Sequence, residues 1–291
     1  MERVHKRSAA VYNASMRILF SLLGLAGLAY LAAVLWVYAS QGRLLFYPRT
    51  ELEGTPDLMG LAYEDVRLSN ALGTHLHGWW VPHETARFTV LFSHGNGGNV
   101  SHRLETLRLF HSLGLSTLLY DYSGYGQSGG EPSETAMRAD ARAVWDWLTQ
   151  ERGVAPERII LFGRSLGGAV TARLASELAA EGVSPAGMVL ESTFTSVADM
   201  GARLYPWLPV RLLVKYRYDS AKALSGLQVP ALFAHAEEDE IVPYALGREL
   251  YEGYDGPKDF FLLRGGHNDG YLFMGPDYPE GLDRFLAGLE K

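Results

Sequence analysis

The 291-residue chain opens on a polar stretch, then runs from Ile18 to Gly42 (ILFSLLGLAGLAYLAAVLWVYASQG) without Asp, Glu, Lys or Arg. As a helix, the apolar part Ile18–Ala39 reaches roughly 33 Å at about 1.5 Å per residue, enough to cross the hydrocarbon core of a bilayer. Beyond it the pattern changes. Residues Tyr63–Ser69 and Thr74–Val81 read as paired strands around a turn at Asn70–Gly73. Continuous apolar runs then recur: FTVLFS (88–93), STLLYDY (116–122), RIILFG (158–163), GMVLES (187–192), PALFAHA (230–236) and DFFLLRGG (259–266). Runs that are apolar at successive positions predict strands covered on both faces. Between most of them, segments of mixed polarity predict helices over Val100–Leu113, Ser133–Glu151, Leu166–Glu181, Pro243–Tyr254 and Asp277–Leu289.

Strands alternating with helices predict an α/β domain, a mostly parallel central sheet with helices on both faces. One interval, about 193–224, breaks the rhythm; it is long and rich in aromatic residues and proline, and it predicts a short cap insertion above the sheet. The organisation expected is a tail over 1–17, a transmembrane helix over 18–39, a linker over 40–62 and one globular domain over 63–291.

Charge adds an orientation. Arg3, Lys6, Arg7 and Arg17 precede the apolar run against one acid, Glu2, so the N-terminus is expected in the cytoplasm and the body outside it. The competing reading of the apolar run, a cleaved signal peptide, requires a shorter apolar stretch than this one. Residues 1–45 hold five cations and one acid, +4; the chain carries −7, so residues 46–291 carry −11. An acidic body argues against nucleic acid as a partner. The chain has no cysteine, which excludes disulfides, thiol catalysis and thiolate metal sites. His75 and His77 alternate on one strand face without a third ligand and read as structural; no metal and no cofactor is expected.

Two segments contain the pattern G-x-S-x-G, GRSLGG (163–168) and GQSGG (126–130). A nucleophile elbow needs a strand ending at the first glycine and a helix starting after the serine. Ser165 has both, between RIILFG and LGGAVTARLASELAA. Ser128 is followed by Gly129-Gly130-Glu131-Pro132 and reads as a turn residue. A serine nucleophile also needs a base, an acid and an oxyanion hole. Downstream of Ser165, His235 falls within a predicted strand and reads as a core histidine. His267, in RGGHNDG just past the last strand, is the expected base. HAEEDEIVP offers Glu237, Glu238, Asp239 and Glu240; Asp239, just before the apolar start of a helix, is the expected acid, with Glu191 the runner-up. The glycine-rich turn after FTVLFS is expected to supply the oxyanion hole through the backbone N–H of Asn96, together with that of Leu166, with His94 as a buttress. Within MGARLYPWLPVRLLVKYRY (200–218), Leu204, Tyr205 and Trp207 are expected to form an acyl-binding cap, interrupted by basic residues suited to anionic headgroups.

These residues carry a resemblance. QGRLLFYP, SHGNGGN, LLYDYSGYGQSGGEPSE, GRSLGG, LESTFTS, HAEEDEIVP and GGHND resemble, in order, the landmarks of α/β-hydrolases over roughly residues 40–290. More narrowly, they resemble membrane-anchored serine hydrolases related to eukaryotic protein depalmitoylases and their bacterial relatives. The resemblance implies Ser165 as nucleophile, Asp239 as acid and His267 as base, acyl esters or thioesters as substrates, and no cofactor. Such depalmitoylases often attach through lipidated cysteines, which this chain lacks, so the bacterial anchored relatives are the closer analogy. Two other functions compete: a non-catalytic scaffold on this fold, which needs a broken triad, and a serine peptidase, which needs a charged group to hold a peptide terminus.

Overall fold

A computed structural model describes residues 2–290 of the chain, with side chains for all of these but 2–11, 14, 271 and 272. Helix α1 (Glu2–Leu45) is continuous. It outruns the expected 18–39 on both sides because no proline precedes Pro48 and its glycines are isolated. The chain divides into two compact units at Gln41–Gly42. In the first, Ile18, Leu22, Leu25 and Trp36 are exposed; Ser15–Leu45, which runs past the boundary, is long and apolar enough to cross a membrane by length and composition.

The second unit contains strands β1 (Tyr47–Pro48), β2 (Glu64–Ser69), β3 (His75–Val81), β4 (Phe88–Ser93), β5 (Gly97–Gly98), β6 (Leu115–Tyr120), β7 (Ile159–Arg164), β8 (Gly187–Glu191), β9 (Ala231–Ala236) and β10 (Lys258–Leu263). Its helices are α2 (Leu104–Ser112), α3 (Glu134–Asp146), α4 (Leu166–Ala180), α5 (Val197–Leu204), α6 (Val210–Leu213), α7 (Ser220–Leu224), α8 (Tyr244–Glu252), α9 (Gly270–Met274) and α10 (Asp277–Leu289). Eight strands form one sheet in the order β2-β3-β6-β4-β7-β8-β9-β10. The pairs β2–β3 and β3–β6 are antiparallel and the other five are parallel, as the alternation predicts.

The unbroken apolar runs have a simple cause. Successive side chains point to opposite faces of a strand, and both faces are covered. Leu91, Leu161 and Leu190 pack on one side with Val144 of α3, Leu174 of α4 and Leu246 of α8. Their neighbours Val90, Phe92, Ile160, Phe162 and Val189 pack on the other with Phe110 of α2 and Leu282 of α10. Each fully buried Leu or Phe contributes about 1.5–3 kcal/mol, so the two faces of the sheet carry much of the burial that stabilises the second unit. The interval expected to form the cap, about 193–224, holds α5, α6 and α7, all short. A second, two-stranded sheet was not foreseen: β1 pairs parallel with β5, Tyr47 opposite Gly97 and Pro48 opposite Gly98.

Candidate active site

The chain leaves β7 through Ser165, whose backbone sits at φ 55, ψ −122, a region costly for any residue with a Cβ. Its N–H donates to the Glu191 carbonyl at 2.8 Å, and α4 begins at the next residue. The flanking glycines hold this turn. A Cβ at Gly163 would lie 2.4 Å from the carbonyl oxygen of Gly167, and one at Gly167 would lie 2.0 Å from that of Ser93. The G-x-S-x-G spacing is therefore a packing requirement here.

The structure brings Ser165, His267 and Asp239 into one hydrogen-bonded chain. Nδ1 of His267 donates to Oδ2 of Asp239 at 2.8 Å, since a carboxylate only accepts. Nε2 is then the free acceptor, and the Ser165 hydroxyl lies 3.0 Å from it. The three residues come from the carboxyl ends of β7, β9 and β10. The turn after β10 uses Gly265 at φ 88, and the His267 N–H donates to Oε2 of Glu240 at 3.0 Å, fixing the loop.

Asp239 is nearly saturated with donors. Oδ1 accepts the N–H groups of Ile241 (3.0 Å) and Val242 (2.8 Å). Oδ2 also lies 3.2 Å from Nε2 of His235. That nitrogen is 3.0 Å from the Val242 carbonyl, which can only accept, so Nε2 carries a proton that Asp239 shares. Burial by itself would raise the Asp239 carboxyl, but hydrogen bonds from His235 and His267, the charge of His267 and the Val242 N–H outweigh it and hold the group well below the usual carboxylate range. By its sequence position His235 is expected in the core. It is buried, yet its polar edge faces Asp239; the sequence signal is the four-residue spacing of His235 and Asp239 across a strand end.

Glu191 does not meet His267. It accepts from Nε of Arg164 and from the Tyr278 hydroxyl, a buried cluster beneath the elbow. Ser128 is likewise occupied: its hydroxyl donates to the Asp121 carbonyl at 2.8 Å and accepts the His77 N–H at 2.9 Å. His77 bridges Asp65 and Asp121, and His75 meets the Ser69 hydroxyl.

The loop after β4 passes close to the serine; a Cβ on Gly95 would lie 3.6 Å from that of Ser165. His94 is buried beneath it, with Nδ1 donating to the Gly95 carbonyl at 2.7 Å and its ring 4.5 Å from that of Tyr122. Burial, then the charge of Arg103, lowers its pKa to about 3, so it stays neutral. The Asn96 side chain is tied at both ends, donating to the Leu45 carbonyl and accepting from the Tyr125 hydroxyl at 2.9 Å.

Ser165, His267, Asn96 and Leu166 line a cleft of about 470 Å³. Its other wall is apolar: Leu45, Phe194, Val197, Met200, Leu204 and Tyr205. Leu204 and Tyr205 are thus part of the cleft wall. Trp207 is exposed and is not part of this lining.

Residues 84–225 match the family Hydrolase_4, described as serine aminopeptidase, S33. The α/β hydrolase domain-containing protein WAV2 of Arabidopsis thaliana is 34% identical over 243 residues, 76% of this chain and 77% of that one. The lysophosphatidylserine lipase ABHD12 of Danio rerio is 31% identical over 222 residues, 68% of this chain and 57% of that one. Among solved structures, the esterase Pf2001 of Pyrococcus furiosus superposes with a TM-score of 0.69 at 20% identity, covering 84% of this chain and 97% of that one, a likeness of fold. With this sheet order, and with WAV2 34% identical over 76% of this chain and 77% of its own, the protein belongs to the α/β-hydrolase superfamily.

Proposed function

We propose that the protein is a membrane-anchored serine hydrolase that cleaves acyl esters or thioesters through an acyl-enzyme. One observation carries the reading: a strained serine, hydrogen-bonded to a histidine that a buried carboxylate orients, opens onto an apolar cleft. His267 takes the proton as the Ser165 oxygen attacks the acyl carbon. The N–H groups of Asn96 and Leu166 receive the negative charge that forms on the carbonyl oxygen. His267 then gives the proton to the leaving oxygen or sulfur, and the same base activates water to release the acid. These steps draw on side chains, backbone and water.

The lipase and esterase among the similar proteins support an ester substrate. The likeness to anchored relatives of depalmitoylases adds long-chain thioesters to the range worth testing. The family description favours a second reading, an aminopeptidase. Such an enzyme needs an acid to hold the substrate's terminal ammonium, and among the described residues lining the cleft none is acidic.

A p-nitrophenyl ester series from acetate to dodecanoate, run beside a palmitoyl thioester and an aminoacyl anilide, tests the reading. Turnover should be confined to the acyl esters and thioester. Turnover of the anilide alone would sink it. Tyr205→Ala should raise KM for dodecanoate several-fold and leave acetate nearly unchanged, since each buried methylene is worth about 0.8 kcal/mol. An equal effect at every chain length would mean that Tyr205 supports the fold and the acyl path lies elsewhere.

We also propose that the helix over 18–39 anchors the chain with its basic end in the cytoplasm, the domain over 63–291 lying outside and joined through 40–62. Protease added to spheroplasts should then digest the body; complete protection would reverse the orientation.

A further inference from the structure

We infer that the exposed apolar face of the cap docks on the lipid bilayer that the anchor spans, so that the cleft opens at the membrane surface and takes its acyl chain from there. The inference rests on the anchored-esterase reading and adds to it the surface from which the substrate enters.

The mouth of the cleft is apolar and open. Leu44, Tyr47, Leu204, Tyr205 and Ile241 line it together with Ser165, and all five are exposed. In the same cap Trp207 is 58% exposed and Leu212, in α6, is 86% exposed. A large apolar surface beside a site marks a place that something other than water covers.

Chain connectivity says what covers it. Gly42 is the first residue of the second unit and stands three residues past Ala39, the end of the proposed span. Three residues of fully extended chain reach no more than about 11 Å. Within the second unit that starting point adjoins the cap. A Cβ on Gly42 would lie 3.4 Å from the Tyr216 hydroxyl, and the ring of Phe46 meets that of Tyr216 edge-on, with centroids 5.1 Å apart. The cap is therefore tethered beside the bilayer surface whatever angle the anchor takes.

Charge is not what holds the two together. Arg203 is ion-paired with Glu249 and Arg211 with Asp199, so these basic residues of the cap, expected to meet anionic headgroups, meet carboxylates of the protein instead. The −11 charge of residues 46–291 also opposes an approach to an anionic surface. What remains is the transfer of leucine and aromatic side chains out of water, which needs no charge on the lipid. Trp and Tyr suit the headgroup boundary, because each ring has an apolar body and a polar edge. A long acyl chain then passes from the bilayer along Leu204 and Tyr205 to Ser165 without crossing water.

The chain has no cysteine, so a single introduced cysteine reports a single position. Full-length protein carrying Trp207→Cys, Leu212→Cys or Glu157→Cys is labelled with a nitrobenzoxadiazole fluorophore. It is reconstituted in phosphatidylcholine vesicles that contain a lipid spin-labelled in its upper acyl chain. Glu157 is exposed and precedes β7, whose carboxyl end carries Ser165, so it reports the opposite edge of the sheet. The labels at 207 and 212 should be quenched several-fold more than the label at 157, and to the same extent when phosphatidylglycerol is added. Equal quenching at all three positions overturns the inference. So does quenching that needs phosphatidylglycerol, because headgroup charge would then drive the contact. Labels at 207 and 212 that are shielded from water yet untouched by the spin label overturn it too, since a second copy of the protein would then cover the face. Leu212→Glu should raise KM for p-nitrophenyl dodecanoate in these vesicles by about ten-fold and leave p-nitrophenyl acetate in water unchanged. An equal change on both esters overturns the route from the bilayer. If neither ester is cleaved, the esterase reading falls, and the quenching pattern still decides whether the cap docks.

Discussion

Replacing Ser165 by alanine is expected to lower kcat/KM on short esters by about four to six orders of magnitude and to abolish labelling by a fluorophosphonate probe. The size of the effect follows from the role proposed for the hydroxyl. Without it there is no acyl-enzyme, and what remains is binding and any stabilisation of charge by the Asn96 and Leu166 amides. The fold should tolerate the change, because the Ser165 hydroxyl is bonded to His267 and the strained backbone is held by the flanking glycines. Ser128→Ala should behave in the opposite way. Its hydroxyl joins the Asp121 carbonyl to the His77 amide, so its loss should cost about 1–3 kcal/mol of stability and lower Tm. Turnover by the folded fraction should stay within a few-fold. Probe labelling that survives in Ser165→Ala would remove that serine from the mechanism.

Asp239→Asn and Glu191→Gln should separate catalysis from support. In Asp239→Asn an N–H₂ group replaces the oxygen that accepts from His267, or else the one that accepts from Ile241 and Val242. With the first arrangement His267 turns its protonated nitrogen toward Ser165 and cannot accept the hydroxyl proton. A fall in kcat on the order of 10⁴-fold is expected. Glu191→Gln leaves Arg164 buried without its carboxylate, which should cost about 3–5 kcal/mol of stability, while kcat of the protein that still folds changes by less than tenfold. His235→Gln keeps a polar side chain of similar size at the site and alters the donor to Asp239, so kcat should fall roughly ten- to a hundred-fold at unchanged KM. A pH signature accompanies the set. Because the folded state depresses the Asp239 pKa, its contribution to stability is complete above about pH 4 and drains away as the pH falls toward the folded-state value. Asp239→Asn should lack that component in acid unfolding. Turnover lost in folded Glu191→Gln and retained in Asp239→Asn would mean the wrong carboxylate has been chosen.

The inner strands of the sheet were legible because they are buried on both faces and therefore apolar at successive positions. Leu91 and Phe92, or Leu161 and Phe162, serve different cores yet look alike in the chain. Ser165, Asp239 and His267 could be picked out because each stands where a parallel strand ends, and such ends converge in space. The role of His235 was hidden. A histidine within a strand carries no sign of which carboxylate will fold back onto it, and Asp239 does so through a tight turn. The pairing of β1 with β5 was hidden as well, since strands of two residues have no periodicity. Tyr205 and Trp207 fall between α5 and α6, in a segment with no periodicity to fix side-chain direction, so the sequence does not separate them, although the first lines the cleft and the second does not.

The pairing of Tyr47–Pro48 with Gly97–Gly98, together with the bond from the Asn96 side chain to the Leu45 carbonyl, makes the entry segment of the body part of the loop that would cradle the oxyanion. Freeing the enzyme from its hydrophobic leader is therefore a question of where to cut. A chain beginning at Gly42 keeps the strand and the carbonyl that brace the loop. One beginning at Arg49 keeps every side chain of the proposed triad and loses the scaffold under one of its two amides. A soluble preparation made the second way is expected to fold and to be a poor catalyst, and its weakness would say nothing about the need for a membrane.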